Sequence, residues 1–245
     1  MINNESFQVL IGSVLGDGSL SLNSGGLNAF YEENHSAKEK EYLLWKWSFF
    51  DRFSQTKVTE YSNFDERTKK TYHYIRLRTH VLPFLTEMRS LFYIDGKKVV
   101  PTNLLNQLNT LGLAVWYFDD GSYCYLGRWS KIATCDFSFQ DNILLSKYLE
   151  EAFGLESKVY KNSSKWYELR FNVQDTNKLF GIIVDAIKDI PVCLRYKLGL
   201  SPERERQVRE KARFWESQNK EKRRLQHKIW IVKKNKELNR GIENA

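Results

Sequence analysis

The sequence predicts an α+β fold of two pseudo-symmetric halves followed by a basic helical tail, divided at residues 1–110, 111–200 and 201–245. Three observations carry that prediction. First, residues 10–19 (Leu-Ile-Gly-Ser-Val-Leu-Gly-Asp-Gly-Ser) and 113–122 (Leu-Ala-Val-Trp-Tyr-Phe-Asp-Asp-Gly-Ser) are both apolar runs ending in Asp-Gly-Ser, so Leu10/Leu113, Asp17/Asp120, Gly18/Gly121 and Ser19/Ser122 coincide after a shift of 103. Self-similarity on this scale marks a duplicated unit. Second, the same succession of patterns follows each run, αββαββ-like and then α. Third, the charge is uneven: residues 201–245 hold 14 Lys/Arg against 7 Asp/Glu, whereas residues 1–200 hold 24 against 23.

Each element has its own signature. The first apolar run reads as a helix, and an extended segment follows it. A second helix is expected from Lys38 to Phe53, where Leu43, Trp47 and Phe50 recur at helical spacing and the outer face is charged. Strands follow at Val58 to Ser62 and Thr71 to Thr79. In the latter, Ile75 and Leu77 alternate with Tyr72, Tyr74, Arg76 and Arg78, giving one apolar face and one basic, aromatic face, with Lys69 and Lys70 just before it. A half-buried sheet facing water needs no such side chains; a sheet contacting nucleic acid does. Asp95 to Gly112 reads as a connector turning partly into helix. The second half then offers a helix at Gln140 to Phe153 and strands at Glu156 to Lys161 and Trp166 to Val173, where Leu169, Phe171 and Val173 alternate with Glu168, Arg170 and Asn172. Ser201-Pro202-Glu203 is a helix start of cap, N1 proline and early acid. Val208, Ala212 and Trp215 continue that helix, and Leu225, Ile229 and Val232 resume the pattern after a break near Asn219. The tail is a solvated helix or an added phosphate contact.

Composition bounds the possibilities. With 42% hydrophobic and 14% aromatic residues among 245, and four Pro, the chain is globular and neither fibrous nor disordered. No apolar run approaches the roughly 18 residues of a membrane span. The first ten residues lack a signal-peptide pattern, so an intracellular protein is expected, in prokaryotic cytoplasm or an organelle matrix and not secreted. Cys124, Cys135 and Cys193 are too few and too widely spaced for a disulfide framework or zinc site and read as buried thiols. The net charge of +8 suits a polyanionic partner without proving one. His35, His73, His80 and His227 are scattered and support no histidine-based nuclease.

The chemistry lies where each apolar run ends. A helix C-terminus carries free carbonyls and partial negative charge, so an Asp there is electrostatically misplaced unless a cation compensates. If Gly18 and Gly121 are left-handed caps, Asp17 and Asp120 sit in the last turn beside those carbonyls, in an oxygen-only nest suited to Mg²⁺. Gly12 and Gly16, four apart, let this helix approach a partner closely; if that partner is the helix of residues 113–121, the two carboxylates end side by side.

The two runs, with Lys97-Lys98-Val99-Val100-Pro101-Thr102-Asn103-Leu104 before the second and Arg195-Tyr196-Lys197-Leu198 near the end of the repeat, resemble the two-motif, single-chain LAGLIDADG homing endonucleases over residues 8–200. The resemblance implies two αββαββα halves forming a DNA-binding saddle, with Asp17, Asp120, Lys98 and Lys197 as catalytic residues. It also implies Asp17, Asp120, Gly16 and Asp119 around Mg²⁺, for which Mn²⁺ can substitute. Lys97 stands as the alternative to Lys98. Tyr72, Tyr74, Arg76, Arg78, Lys69, Lys70, Glu168, Arg170 and Asn172 are the implied DNA-binding set. The implied activity is a double-strand break with short 3′ overhangs at a long target such as an intron insertion site. The enzyme would be a monomer with internal pseudo-twofold symmetry, acting on double-stranded DNA and on no membrane. Leu15 and Phe118 depart from the first acid of the family's name, and Val115 and Asp119 replace small residues, which makes close helix packing one-sided. Two rivals share the scaffold: an intron maturase binding RNA, and a non-catalytic DNA-binding regulator.

Overall fold

The computed structural model describes residues 2–51, 54–162, 166–220 and 224. It comprises two compact units, residues 1–201 and 202–245.

The first unit shows the duplication directly. Its first half runs α1 (Asn4–Leu15), β1 (Ser19–Leu22), β2 (Ala29–Ser36), α2 (Lys40–Phe50), β3 (Lys57–Asp65), β4 (Lys70–Arg78) and α3 (Pro83–Phe92). A short hairpin, β5 (Tyr93–Ile94) with β6 (Lys97–Lys98), and a single turn α4 (Thr102–Leu105) form the connector. The second half repeats the order as α5 (Thr110–Asp120), β7 (Gly121–Cys124), β8 (Trp129–Ala133), α6 (Phe139–Phe153), β9 (Lys158–Asn162), β10 (Trp166–Phe171) and α7 (Val173–Ala186), then a 3₁₀ stretch at Val192–Leu198. Each half folds one antiparallel four-stranded sheet, β1-β2-β4-β3 and β7-β8-β10-β9, the same order twice.

The motif helices α1 and α5 pack on each other as the centre of the core, and every residue of α5 from Gly112 to Asp119 is buried. Asn3 and Asn109 cap the two helices at their N-termini, accepting from Ser6 and from Leu111 and Gly112. Glycine contact is not one-sided: a Cβ on Gly12 would run into the carbonyl oxygen of Gly112, and one on Gly112 would meet Gln8 and Leu108. The side chain of Gln8 bridges the seam, donating to Gln107 O at 2.8 Å and accepting from Asn109 N at 2.8 Å.

Several expectations are corrected. Gly18 and Gly121 are not left-handed; Gly121 is extended at φ −75°, and Gly16 rather than Gly18 caps α1. They are glycines for space, since a Cβ on Gly18 would meet the Tyr31 ring at 2.6 Å and one on Gly121 would strike the Tyr117 carbonyl. The strand ending at Val173 stops at Phe171 instead. Asn172 is the N-cap of α7, its Oδ1 accepting from Asp175 N at 2.9 Å, so it stands outside the sheet face assigned to it. Helix α2 ends at Phe50, and Phe53 lies outside the described residues. The cysteines are not buried: Cys135 is exposed, and Cys124 and Cys193 are half-buried.

In the second unit, residues 202–220 form an unbroken helix, with no interruption at Asn219. Arg209 pairs with Glu205 at 2.7 Å one turn away, and Phe214 and Trp215 are exposed. The continuation through Leu225, Ile229 and Val232 lies outside the described residues. Among the described residues no helix is long and apolar enough to cross a membrane.

Candidate active site

Both motif helices end at one place. Asp17 follows the Gly16 cap of α1 and is exposed, whereas Asp120 is the last residue of α5 and half-buried. Both line a cavity of about 880 Å³, together with Lys98, Asp136, Asp141 and Tyr167. Burial, then Asp17 and Asp119, push the Asp120 carboxyl up to about 8; Lys98 and Lys197 oppose the shift without cancelling it.

The lysines occupy equivalent posts. Lys98 Nζ donates to Gly16 O at 3.0 Å and Gly18 O at 3.4 Å. Lys197 Nζ donates to Phe118 O at 2.5 Å and Asp119 O at 2.7 Å. Gly16 and Asp119 correspond in the repeat, so each half ends with a lysine on the last carbonyls of its own motif helix. The cation expected at these negative helix ends is therefore, in the first instance, an ammonium. Lys98 takes this position and Lys97 is exposed. Burial lowers the pKa of Lys98, an effect that Asp120 and neighbouring carboxylates oppose.

Asp119 and Gly16 meet across the seam, where a Cβ on Gly16 would lie 2.5 Å from Asp119 Cβ. The Asp119 carboxylate is already engaged. Fully buried Lys46 donates to both its oxygens at 2.7 and 2.8 Å, and Tyr42 OH donates to Oδ1 at 2.7 Å. Lys46 also reaches Glu33 Oε1 at 2.6 Å. The same Glu33 receives Tyr31 OH and contacts His35 Nε2 at 2.5 Å, while His35 Nδ1 meets Glu39 at 3.0 Å. Burial works against the Lys46 ammonium, but Asp119 and then Glu33 outweigh it and hold its pKa above the ordinary lysine value. Burial likewise opposes protonation of His35, yet Glu33 and then Glu39 lift it to about 10, so the ring is an imidazolium. One ligand atom each of Asp17, His35 and Asp119 lie within 4.8 Å of one another.

This buried cluster was not anticipated: Lys46 belongs to the α2 face expected to be charged and exposed, and His35 was read as scattered. The signal was present nonetheless. Glu33 and His35 share the inward phase of β2 with Ala29 and Tyr31, and Lys46 lies one turn from Leu43 and from Phe50.

The implied DNA-contact residues are only partly gathered. Tyr72, Tyr74, Arg76 and Arg78 do share one face of β4 with Lys70, opposite buried Ile75 and Leu77. Neighbours pre-order this face: Arg76 Nε donates to Asn34 at 3.0 Å and its guanidinium lies 4.8 Å from the centre of the Tyr61 ring. Lys69 sits in the preceding turn at φ 54° and pairs with Glu66. In the second sheet Glu168 is buried between Lys131 at 2.6 Å and Arg170 at 2.5 Å, and Arg170 stacks on Tyr160. Glu168 is thereby spent on orienting two cations, and Arg170 and Lys131 form the outward basic pair.

A profile of the LAGLIDADG DNA endonuclease family matches residues 7–179. The chain belongs to that family. DNA endonuclease I-ChuI of Chlamydomonas applanata is 26% identical over 209 residues, covering 81% of this LAGLIDADG chain and 96% of that protein. Cytochrome b mRNA maturase bI2 of Debaryomyces hansenii is 28% identical over 204 residues, covering 81% and 75%. Protein RecA of Mycobacterium shimoidei is 30% identical over 174 residues, of which this chain spans only 38% of the length. Among solved structures, homing endonuclease I-WcaI bound to its DNA recognition sequence superposes with a TM-score of 0.72 at 19% identity, over 81% of this chain and 87% of that one. The LAGLIDADG fold is thus shared despite low identity.

Proposed function

We propose that this LAGLIDADG protein is a site-specific homing endonuclease that binds double-stranded DNA and cuts both strands, leaving short 3′ overhangs, at a long target such as an intron insertion site. The observation that carries the reading is the meeting of Asp17 and Asp120, one from each repeat, in a single cavity beside Lys98. A minor groove about 6 Å wide brings phosphates of opposite strands within reach of two such adjacent carboxylates.

The residues fit a divalent cation. Both principal donors are carboxylate oxygens, the class hard cations prefer. An Asp120 carboxyl pushed up to about 8 among other acids marks a site short of positive charge. When bound, Mg²⁺ or Mn²⁺ supplies charge neutralisation at the phosphate and orients the attacking water. Asp17 and Asp120 are the residues that would hold such a cation. Lys98 and Lys197, fixed on the helix-end carbonyls, present positive charge at the two centres without needing to reorganise. Arg76, Arg78, Tyr72 and Tyr74 on one sheet and Arg170 with Lys131 on the other supply phosphate and base contacts.

The test is cleavage of a duplex spanning the uninterrupted host-gene junction, incubated with Mg²⁺. Asp17→Asn and Asp120→Asn are expected to abolish cutting while retaining specific binding in a gel-shift assay; undiminished cutting by both refutes the assignment. The likeness to maturase bI2 favours a second reading, binding of intron RNA. Splicing assistance by a variant lacking both carboxylates would establish it.

A further inference from the structure

The cluster of Glu33, His35 and Lys46 from the first half with Asp119 from the second has no symmetry counterpart. The repeated serines fix the correspondence: Ser19 pairs in register with Glu32 of β2, and Ser122 with Lys131 of β8. That register puts buried Ile132 and Thr134 where the first half carries Glu33 and His35. The buried residues of α6 are Asn142, Leu145 and Leu149, with no counterpart of Lys46. At the helix end itself, Asp119 corresponds to Gly16.

Such a cluster is a poor way to make a core stable, because apolar side chains of the same volume fill the space without desolvating four charges. Its position suggests another purpose. Lys46 grips both oxygens of Asp119, the residue before Asp120, and Asp119 packs on the Gly16 backbone before Asp17. Glu33 holds Lys46 on one side and His35 on the other, and His35 lies within 4.8 Å of Asp17. Both ring nitrogens of His35 are taken by carboxylates, Nε2 by Glu33 and Nδ1 by Glu39, so the ring is fixed in orientation beside Asp17 and is not free to act as a metal ligand.

We propose that Glu33, His35 and Lys46 are positioning residues for the Asp17 centre alone, so that the two strands of a DNA target are cut by unequally supported centres. The inference rests on the nuclease reading above. It is tested on the junction duplex with a different fluorophore on each 5′ end, so that the cutting rate of each strand is read separately under single-turnover conditions. Lys46→Met and the gentler His35→Gln, whose amide can still meet Glu33 and Glu39, are compared with wild type, each checked for a cooperative unfolding transition.

The expected result is a loss of about tenfold or more in the rate of one strand, the scale seen when residues supporting a site's ligands are removed, with the other strand within about threefold of wild type. Should Lys46→Met fail to fold, His35→Gln decides. Equal slowing of both strands, or rates unchanged on both, overturns the inference. Wild-type protein that cuts neither strand is a separate result and removes the nuclease reading along with it.

Discussion

Replacing Lys46 by Met tests the energetics of the buried cluster. Methionine keeps much of the volume and removes the charge, leaving Asp119 with the Tyr42 hydroxyl as its remaining hydrogen-bond partner. Glu33 stays paired with His35 and Tyr31, so the penalty falls mainly on Asp119. Breaking one side of a buried ion pair costs about 3–5 kcal/mol when the remaining charge has no escape. Asp119 has one. Burial, with Glu33 and Asp17 adding to it and Lys46 opposing, already lifts its pKa to about 7, and losing Lys46 raises it further. An acid whose folded pKa lies above its unfolded value of about 3.9 contributes most below that value and loses its contribution as pH rises through the folded pKa. Wild type has completed that loss near pH 7, whereas the variant continues to lose about 1.4 kcal/mol per pH unit beyond it. Urea unfolding is therefore expected to place the variant within about 2 kcal/mol of wild type at pH 6, reflecting lost hydrogen bonds, with a clearly larger gap at pH 8.5. The same gap at both pH values, or less than 1 kcal/mol at each, would refute the assignment of a charged, uncompensated Asp119.

Two further outcomes follow from the geometry. Gly12→Ala drives a methyl into the Gly112 carbonyl and should separate the motif helices, lowering stability by at least the roughly 1–3 kcal/mol of an overpacked core; thermal unfolding measures it, and the same change at Gly181, where an added Cβ meets nothing within 4 Å, serves as the control. Because Asp120 is held near pKa 8, Mg²⁺ binding at pH 7 should release close to one proton, and affinity should climb with pH until about 8 and then level; calorimetry in buffers of different ionisation enthalpy reads both.

The duplication was legible because Asp-Gly-Ser recurs in identical order, and the sheet face of β4 because strict alternation leaves no doubt about which residues turn inward. Lys98 and Lys197 enter the candidate site through resemblance and not through spacing; their posts on the helix-end carbonyls depend on how the connector and the 3₁₀ stretch return to the core, which no local pattern encodes. Asn172 was misread because alternation continued one residue beyond the strand, although Asn172-x-x-Asp175 was already a readable helix cap. The glycine caps were misassigned because a glycine required for close approach and one required for a left-handed turn look alike in sequence. Lys46 escaped notice because a lysine is normally assigned to water, and only its partners, 13 and 73 residues away, make its burial tolerable.

The lysines that end each half close off the last turn of a core helix, and Lys98 also lines the cavity, so on the proposed reading a single side chain serves folding and chemistry together. Asp17 carries no such double duty, being exposed and beyond the helix. On the proposed nuclease reading, a descendant under pressure to stop cutting while still gripping nucleic acid has an easy route through the aspartates and a destabilising one through the lysines. Decay of this lineage would therefore leave proteins with intact ammonium groups around a silent pair of missing acids.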